Sequence, residues 1–185
     1  MNESYVAYEV TLHPKSLEMD VTMKITGSLA EGIHGKLNLR IPRWVPGDYD
    51  FEPYGRDIFS VSASDSGNNS LTVNRDGFNG YAIDVTGGAV TVTYRASCYE
   101  PDLGDAMGLI DSDYAILMGT RYLFCPEYTG ECSVDYGQLP DGWRIHHPSG
   151  AQRLEQTNKW IYPGFEILLD TPVCFGGFDL MEHDI

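Results

Sequence analysis

The sequence predicts an all-β fold: an antiparallel β-sandwich forming a single domain. Three observations carry the prediction. Apolar residues recur at every second position in several separate segments, which is the period of a half-buried strand. Glycine and proline, 20 and 10 of the 185 residues, interrupt the chain between those segments. No stretch keeps a helical apolar period, and twelve tyrosines add to the β-forming content.

The segments follow in order. Val6, Tyr8, Val10 and Leu12 share one face, with Glu9 and Thr11 on the other. His13-Pro14 then turns the chain. Leu17, Met19, Val21, Met23 and Ile25 alternate with Glu18, Asp20, Thr22, Lys24 and Thr26, so one face meets a core and the other meets water. Glu31-Gly32 reads as a turn. Leu37, Leu39 and Ile41 alternate with Lys36, Asn38 and Arg40.

Next comes a rigid loop, Ile41-Pro-Arg-Trp-Val-Pro-Gly-Asp-Tyr49. Pro42 and Pro46 lack the amide hydrogen that a ladder needs. Gly47 permits a tight turn after Pro46. Trp44 carries enough apolar surface to pin the loop to a core. A short helix near residues 56–59 fits the sequence. Turn signals recur at Asp65-Ser-Gly-Asn-Asn69, Asp76-Gly77, Gly87-Gly88 and Asp141-Gly142. Between the last two, Val90, Val92, Tyr94, Ala96 and Cys98 alternate with Thr91, Thr93, Arg95 and Ser97. The run Cys174-Phe-Gly-Gly-Phe178 looks like an exit strand, which implies an excised domain; a frayed terminus is the plain alternative.

Composition excludes some functions. The net charge is −15, so the basic patches that neutralise nucleic-acid phosphates are lacking, and anionic membranes would be repelled. The same charge attracts cations, including the free ammonium of a peptide. Polar residues follow Met1, and no apolar run is long enough to span a bilayer. A cytoplasmic location is the expectation. The cysteines at 98, 125, 132 and 174 form no Cys-x-x-Cys pair, which argues against a zinc site and for buried free thiols. Cys125 and Cys132 could flank a hairpin and bridge, and spacing alone leaves that open. His146 and His147 are adjacent, so on an extended segment they point to opposite faces rather than to one metal.

Several motifs keep one order along the chain: Tyr8-Glu-Val10 with Pro14, Trp44-Val-Pro-Gly-Asp-Tyr49, Val92-Thr-Tyr-Arg95, Gly119-Thr-Arg-Tyr-Leu-Phe124, Leu139-Pro-Asp-Gly-Trp143 and Leu169-Asp-Thr-Pro-Val173. Together they resemble the N-terminal domain of the glycyl aminopeptidases, metallopeptidase family sixty-one, of gluzincin type. The signature loop of that resemblance comprises Pro42, Trp44, Pro46, Gly47 and Tyr49. The chain departs from the family where Asp48 replaces a small residue. It departs again where Phe51-Glu-Pro-Tyr54 replaces a basic continuation, leaving Arg43 and Arg56 as the nearby cations.

The resemblance implies a peptidase parent. Its zinc is expected in a C-terminal catalytic domain with a His-Glu-x-x-His helix, and this chain contains no such motif. The resemblance therefore gives residues 1–185 no catalytic group, no metal and no cofactor of their own. It gives them two partners: the catalytic domain and the parent's peptide substrate. Glu100, Asp102, Asp105, Asp111 and Asp113 crowd one loop without a Lys or Arg. By position, Tyr99, Glu100 and Asp102 are the substrate-binding candidates, meeting the peptide's α-ammonium at the cleft. A solvated acidic loop is the plain alternative. A stand-alone module binding carbohydrate or protein is the second hypothesis, since a sandwich with Trp and Tyr beside carboxylates suits sugars too. A scaffold pairing with itself through an edge strand is the third.

Overall fold

A computed structural model describes residues 5–44, 51–100, 108–128, 130–148, 150–179 and 181, apart from the side chain of Glu100. Strands dominate, with few helices. In chain order they are β1 (Val6–His13), β2 (Glu18–Ile25), α1 (Gly27–Gly32), β3 (Gly35–Arg40), a 3-10 turn (Tyr54–Asp57), β4 (Ile58–Asp65), β5 (Val73–Arg75), β6 (Gly80–Val85), β7 (Val90–Ser97), β8 (Tyr99–Glu100), β9 (Gly108–Ile110) and β10 (Tyr114–Met118). There follow α2 (Gly119–Tyr122), β11 (Cys132–Asp135), β12 (Arg144–His146), β13 (Gln152–Arg153), β14 (Lys159–Tyr162), α3 (Phe165–Leu169) and β15 (Pro172–Gly176).

Three sheets result. The largest runs β13-β14-β11-β1-β2-β7-β4, the second β12-β15-β10-β9-β8 and the smallest β3-β6-β5. The alternating segments pair in the register their burial demands. Val6 faces Ile25 and Leu12 faces Met19 across β1 and β2, while Met23 faces Val92 across β2 and β7. A one-residue slip would turn every buried side chain outward, so the apolar face fixes the pairing.

The sandwich is antiparallel in all pairings among the described strands but one. β1 and β11 run parallel, Val6 opposite Cys132 through Glu9 opposite Asp135. Parallel neighbours need a long crossover, and the whole span from β2 to β10 separates these two.

Aromatic side chains join the sheets. The Tyr8 hydroxyl donates to the Phe124 carbonyl at 2.5 Å, and the Tyr94 hydroxyl donates to the Tyr122 carbonyl at 2.9 Å. Both bonds are buried and tie the segment after β10 to the large sheet. The Phe124 ring lies 4.5 Å from Tyr94 and 5.5 Å from Tyr81 of the small sheet. Tyr136 meets Phe175 of β15 edge-on at 4.9 Å. Such ring pairs bury large areas and add orientation, which lets three short-stranded sheets share one core.

Three expectations need correction. Glu31-Gly32 ends the short helix α1 instead of forming an isolated turn. The helix foreseen at 56–59 is the 3-10 turn Tyr54–Asp57, and strand begins at Ile58. Trp44 does not pin its loop to this core: the side chain is 56 % exposed. Pro42 and Trp44 are described; Pro46, Gly47 and Tyr49 lie outside the described residues.

All four cysteines are free thiols, including Cys125 and Cys132. Burial pushes the thiols of Cys98, Cys125 and Cys132 up to about 12, so they are protonated at neutral pH. Among the described residues, no helix is long and apolar enough to cross a membrane.

Candidate functional site

Two features singled out in the sequence meet through the 3-10 turn. The first is the end of β8, which carries Tyr99 and Glu100. In this edge strand of the second sheet, Tyr99 pairs with Leu109 and Glu100 with Gly108. The Tyr99 ring is 55 % exposed. Asp102 and Asp105 lie outside the described residues, and of Glu100 only the backbone is described.

Beneath that strand end lies a buried ion pair. Arg121 of α2 and Asp57 of the 3-10 turn are 3.2 Å apart, with side chains only 4 % and 7 % exposed. The Arg121 guanidinium also sits 4.8 Å from the centre of the Tyr54 ring. Taking two charges from water is costly, and the pair offsets that cost only while both partners stay in place. The arginine stem lies across Gly108, where an added Cβ would collide with it. Gly108 is therefore a close-approach glycine, and its φ is not in the left-handed region. Cys98, buried one residue before β8, accepts the Ile110 amide on its carbonyl at 2.7 Å. Arg121, α2 and the 3-10 turn thus hold the β8–β9 neck from below.

The second feature is the signature loop. It leaves the core at Ile41, whose amide donates to the Asn79 carbonyl and whose carbonyl accepts from the Asn79 side chain, both at 2.8 Å. The Glu52 amide donates to the Arg43 carbonyl at 2.8 Å and closes the neck. Trp44 and Phe51 flank that bond. Phe51 is 59 % exposed, and its ring lies 5.0 Å from Phe78, itself 42 % exposed. Arg43 lies 6.0 Å over the Phe78 ring. The 3-10 turn links the two features, because Gly55 packs against the Phe78 carbonyl and Asn79 too closely for any side chain. Arg75 locks the contact by donating to the Gly55 carbonyl at 3.1 Å and to the Phe78 carbonyl.

Other candidates lie apart. His147 stacks on Trp160, 5.1 Å away and 11° from parallel, and bonds the Tyr162 hydroxyl at 2.5 Å. Burial lowers its pKa from the usual 6.5. That is the environment of a packed neutral ring. His146 is exposed. A further depression, unforeseen from sequence, is lined by Asp113, Tyr114, Asp141, Trp143 and Phe178. Its volume is about 540 Å³. Among the described residues, no three His, Cys, Asp or Glu side chains converge as a metal site.

Residues 7–177 match the family model described as the Peptidase M61 N-terminal domain. The chain belongs to that family. The peptidase M61 N-terminal domain fold is also seen in the crystal structure of an aminopeptidase N family protein from Idiomarina loihiensis, at 18 % identity and a TM-score of 0.79. The similarity covers 92 % of this chain and 29 % of that one, so this chain spans under a third of its structural neighbour. No match was found among curated proteins. The M61 motifs fall at structural joints. Gly119-Thr-Arg-Tyr-Leu-Phe124 supplies α2, the buried Arg121 and the inter-sheet Phe124. Leu169-Asp-Thr-Pro-Val173 leads from α3 into β15.

Proposed function

We propose that residues 1–185 are the non-catalytic N-terminal domain of a zinc metalloaminopeptidase-like protein, packed on a catalytic domain carried elsewhere in the same protein. In this reading Tyr99, Glu100 and Asp102 shape the end of the cleft that holds the substrate's amino terminus. One observation carries it: β8, where the candidate residues begin, is an edge strand whose neck is anchored from below by a buried Arg121–Asp57 pair. Recognition groups are placed best on rigid elements with a packed support behind them. The net charge of −15 draws a cationic peptide terminus toward such an edge. Zinc belongs, in this reading, to the catalytic domain; it has no ligand set among the described residues, so no step of hydrolysis is assigned to this chain. We place the parent in the cytoplasm, which cell fractionation checks.

The test is Glu100→Gln in the full-length protein, assayed on glycyl dipeptides. A lost charge-assisted hydrogen bond to the ammonium raises KM about tenfold or more. Unchanged KM and turnover would sink the assignment. A second reading, a stand-alone carbohydrate module, has the depression between Tyr114, Trp143 and Phe178 in its favour, with Asp113 and Asp141 at its rim. Titration of oligosaccharides against Trp143 fluorescence tests it, and a flat titration removes it.

A further inference from the structure

The exposed rings of Trp44, Phe51 and Phe78 gather at one loop neck. The Glu52–Arg43 hydrogen bond draws together the backbone segments that carry the first two, and the 5.0 Å ring contact joins Phe51 to Phe78. Exposures of 56, 59 and 42 % leave roughly 300 Å² of aromatic surface facing water, taking about 200 Å² for each side chain. A patch of that size is at the scale where exposed apolar surface marks a binding face. It also matches one side of a domain–domain interface, about 300–750 Å² per partner.

The patch differs in charge from the rest of the chain. The sequence holds 27 acidic and 12 basic residues, yet the described residues that line the depression beside Trp44 are Arg40, Ile41, Pro42, Arg43, Trp44 and Asn79, none of them a carboxylate. Arg40 is committed to Asp76. Arg43 is exposed and makes no ion pair among the described residues. The complementary surface is apolar with a carboxylate at its rim. Supports already hold the patch in place: Gly55 against Phe78 and Asn79, and Arg75 against the Gly55 and Phe78 carbonyls. Three large rings held in water by a built frame cost solvation unless something covers them.

Resting on the proposal of a larger peptidase parent, we infer that Trp44, Phe51 and Phe78, with Arg43 at the rim, are the surface on which this domain docks against the catalytic domain of its own polypeptide. The structural neighbour has that much chain to spare, since 29 % of it is matched here. The 3-10 turn joins this docking face to the support of the β8 edge, so seating the rings also positions that edge against the neighbouring domain.

The test compares the 185-residue chain with the protein its complete gene encodes. Hydroxyl-radical footprinting reads Trp44, Phe51 and Phe78, with the exposed Leu17 as a control. The expected result is at least about fivefold slower modification of the three rings in the complete protein, with Leu17 unchanged. A Trp44→Ala/Phe51→Ser double variant is expected to melt like the parent as a 185-residue chain, since both side chains are exposed. In the complete protein the same variant separates one melting transition into two. Equal modification rates, or an unaltered single transition, would overturn the inference. Protection that grows with concentration in the 185-residue chain alone would overturn it in favour of a second copy. If the complete protein hydrolyses glycyl peptides while its rings stay accessible, the docking face is wrong and the parent reading stands. If it contains no peptidase domain, both fall.

Discussion

Arg121→Met is the most informative single change. Methionine keeps much of the stem that lies across Gly108 and removes the guanidinium. Asp57, 7 % exposed, then loses its buried cation and keeps only the half-exposed Arg56 at 3.4 Å, and Tyr54 loses a cation at 4.8 Å. Breaking a buried pair by removing one partner costs about 3–5 kcal/mol. Both side chains are nearly excluded from solvent, so screening does little to reduce that figure. With a urea dependence of about 2 kcal/mol per molar, the unfolding midpoint falls by about 1.5–2.5 M. Urea denaturation followed by Trp fluorescence measures it. Hydrogen exchange localises the effect, because the Ile110 amide, bonded to Cys98 at 2.7 Å, loses protection before amides of β1 and β2 do. The companion double variant Arg121→Met/Asp57→Asn recovers much of the loss, since the buried charge that lacks its buried partner is gone. A single variant as stable as the parent, or a double variant no better than the single, would refute the claim that this pair supports the β8–β9 neck.

Two further outcomes follow from the same geometry. Gly108→Ala places a Cβ against the Arg121 stem and destabilises the chain by about 1–3 kcal/mol by overpacking; in the Arg121→Met background a thermal-melt series shows the penalty shrinking, whereas equal penalties in both backgrounds would point to backbone strain instead. His147 is held neutral by burial, so its folded pKa lies below the ordinary 6.5. The unfolded chain then binds the proton more readily. The stability owed to the neutral ring is complete above about 6.5 and is lost as pH falls through that value toward the lower folded one. The melting-temperature advantage of the parent over His147→Gln narrows between about pH 7 and 5, and a gap that stays constant with pH contradicts the packing role.

How much of this was legible depends on burial geometry. β1, β2, β3 and β7 are buried on one face and wet on the other, so their apolar residues alternate and the strands are visible in sequence. β10 and β15 end in consecutive buried residues, which breaks the alternation and hides them. β8, β9 and β13 have two or three residues each, too few to show any period. Pro42 was legible as the stop of β3. The placement of Trp44 was not, because an apolar ring reads the same in sequence whether it packs inward or stands in water. The sequence put Tyr99 and Glu100 at the end of the strand from Val90, whereas they form a separate strand, β8, in the second sheet, because the chain crosses between sheets at Cys98. The arginine beneath them was not legible, because nothing in its local pattern distinguishes Arg121 from a surface cation.

By itself, then, the order of residues determined the β class, the half-buried strands and the family, because periodicity and motif order are local properties carried along one dimension. Only the tertiary structure decided that β1 takes a parallel neighbour, that Arg121 finds Asp57 on a distant segment, and that Trp44 faces outward beside Phe51 and Phe78. Those outcomes depend on which distant segments compete for the same buried volume, and that competition is settled when the sheets close on one another.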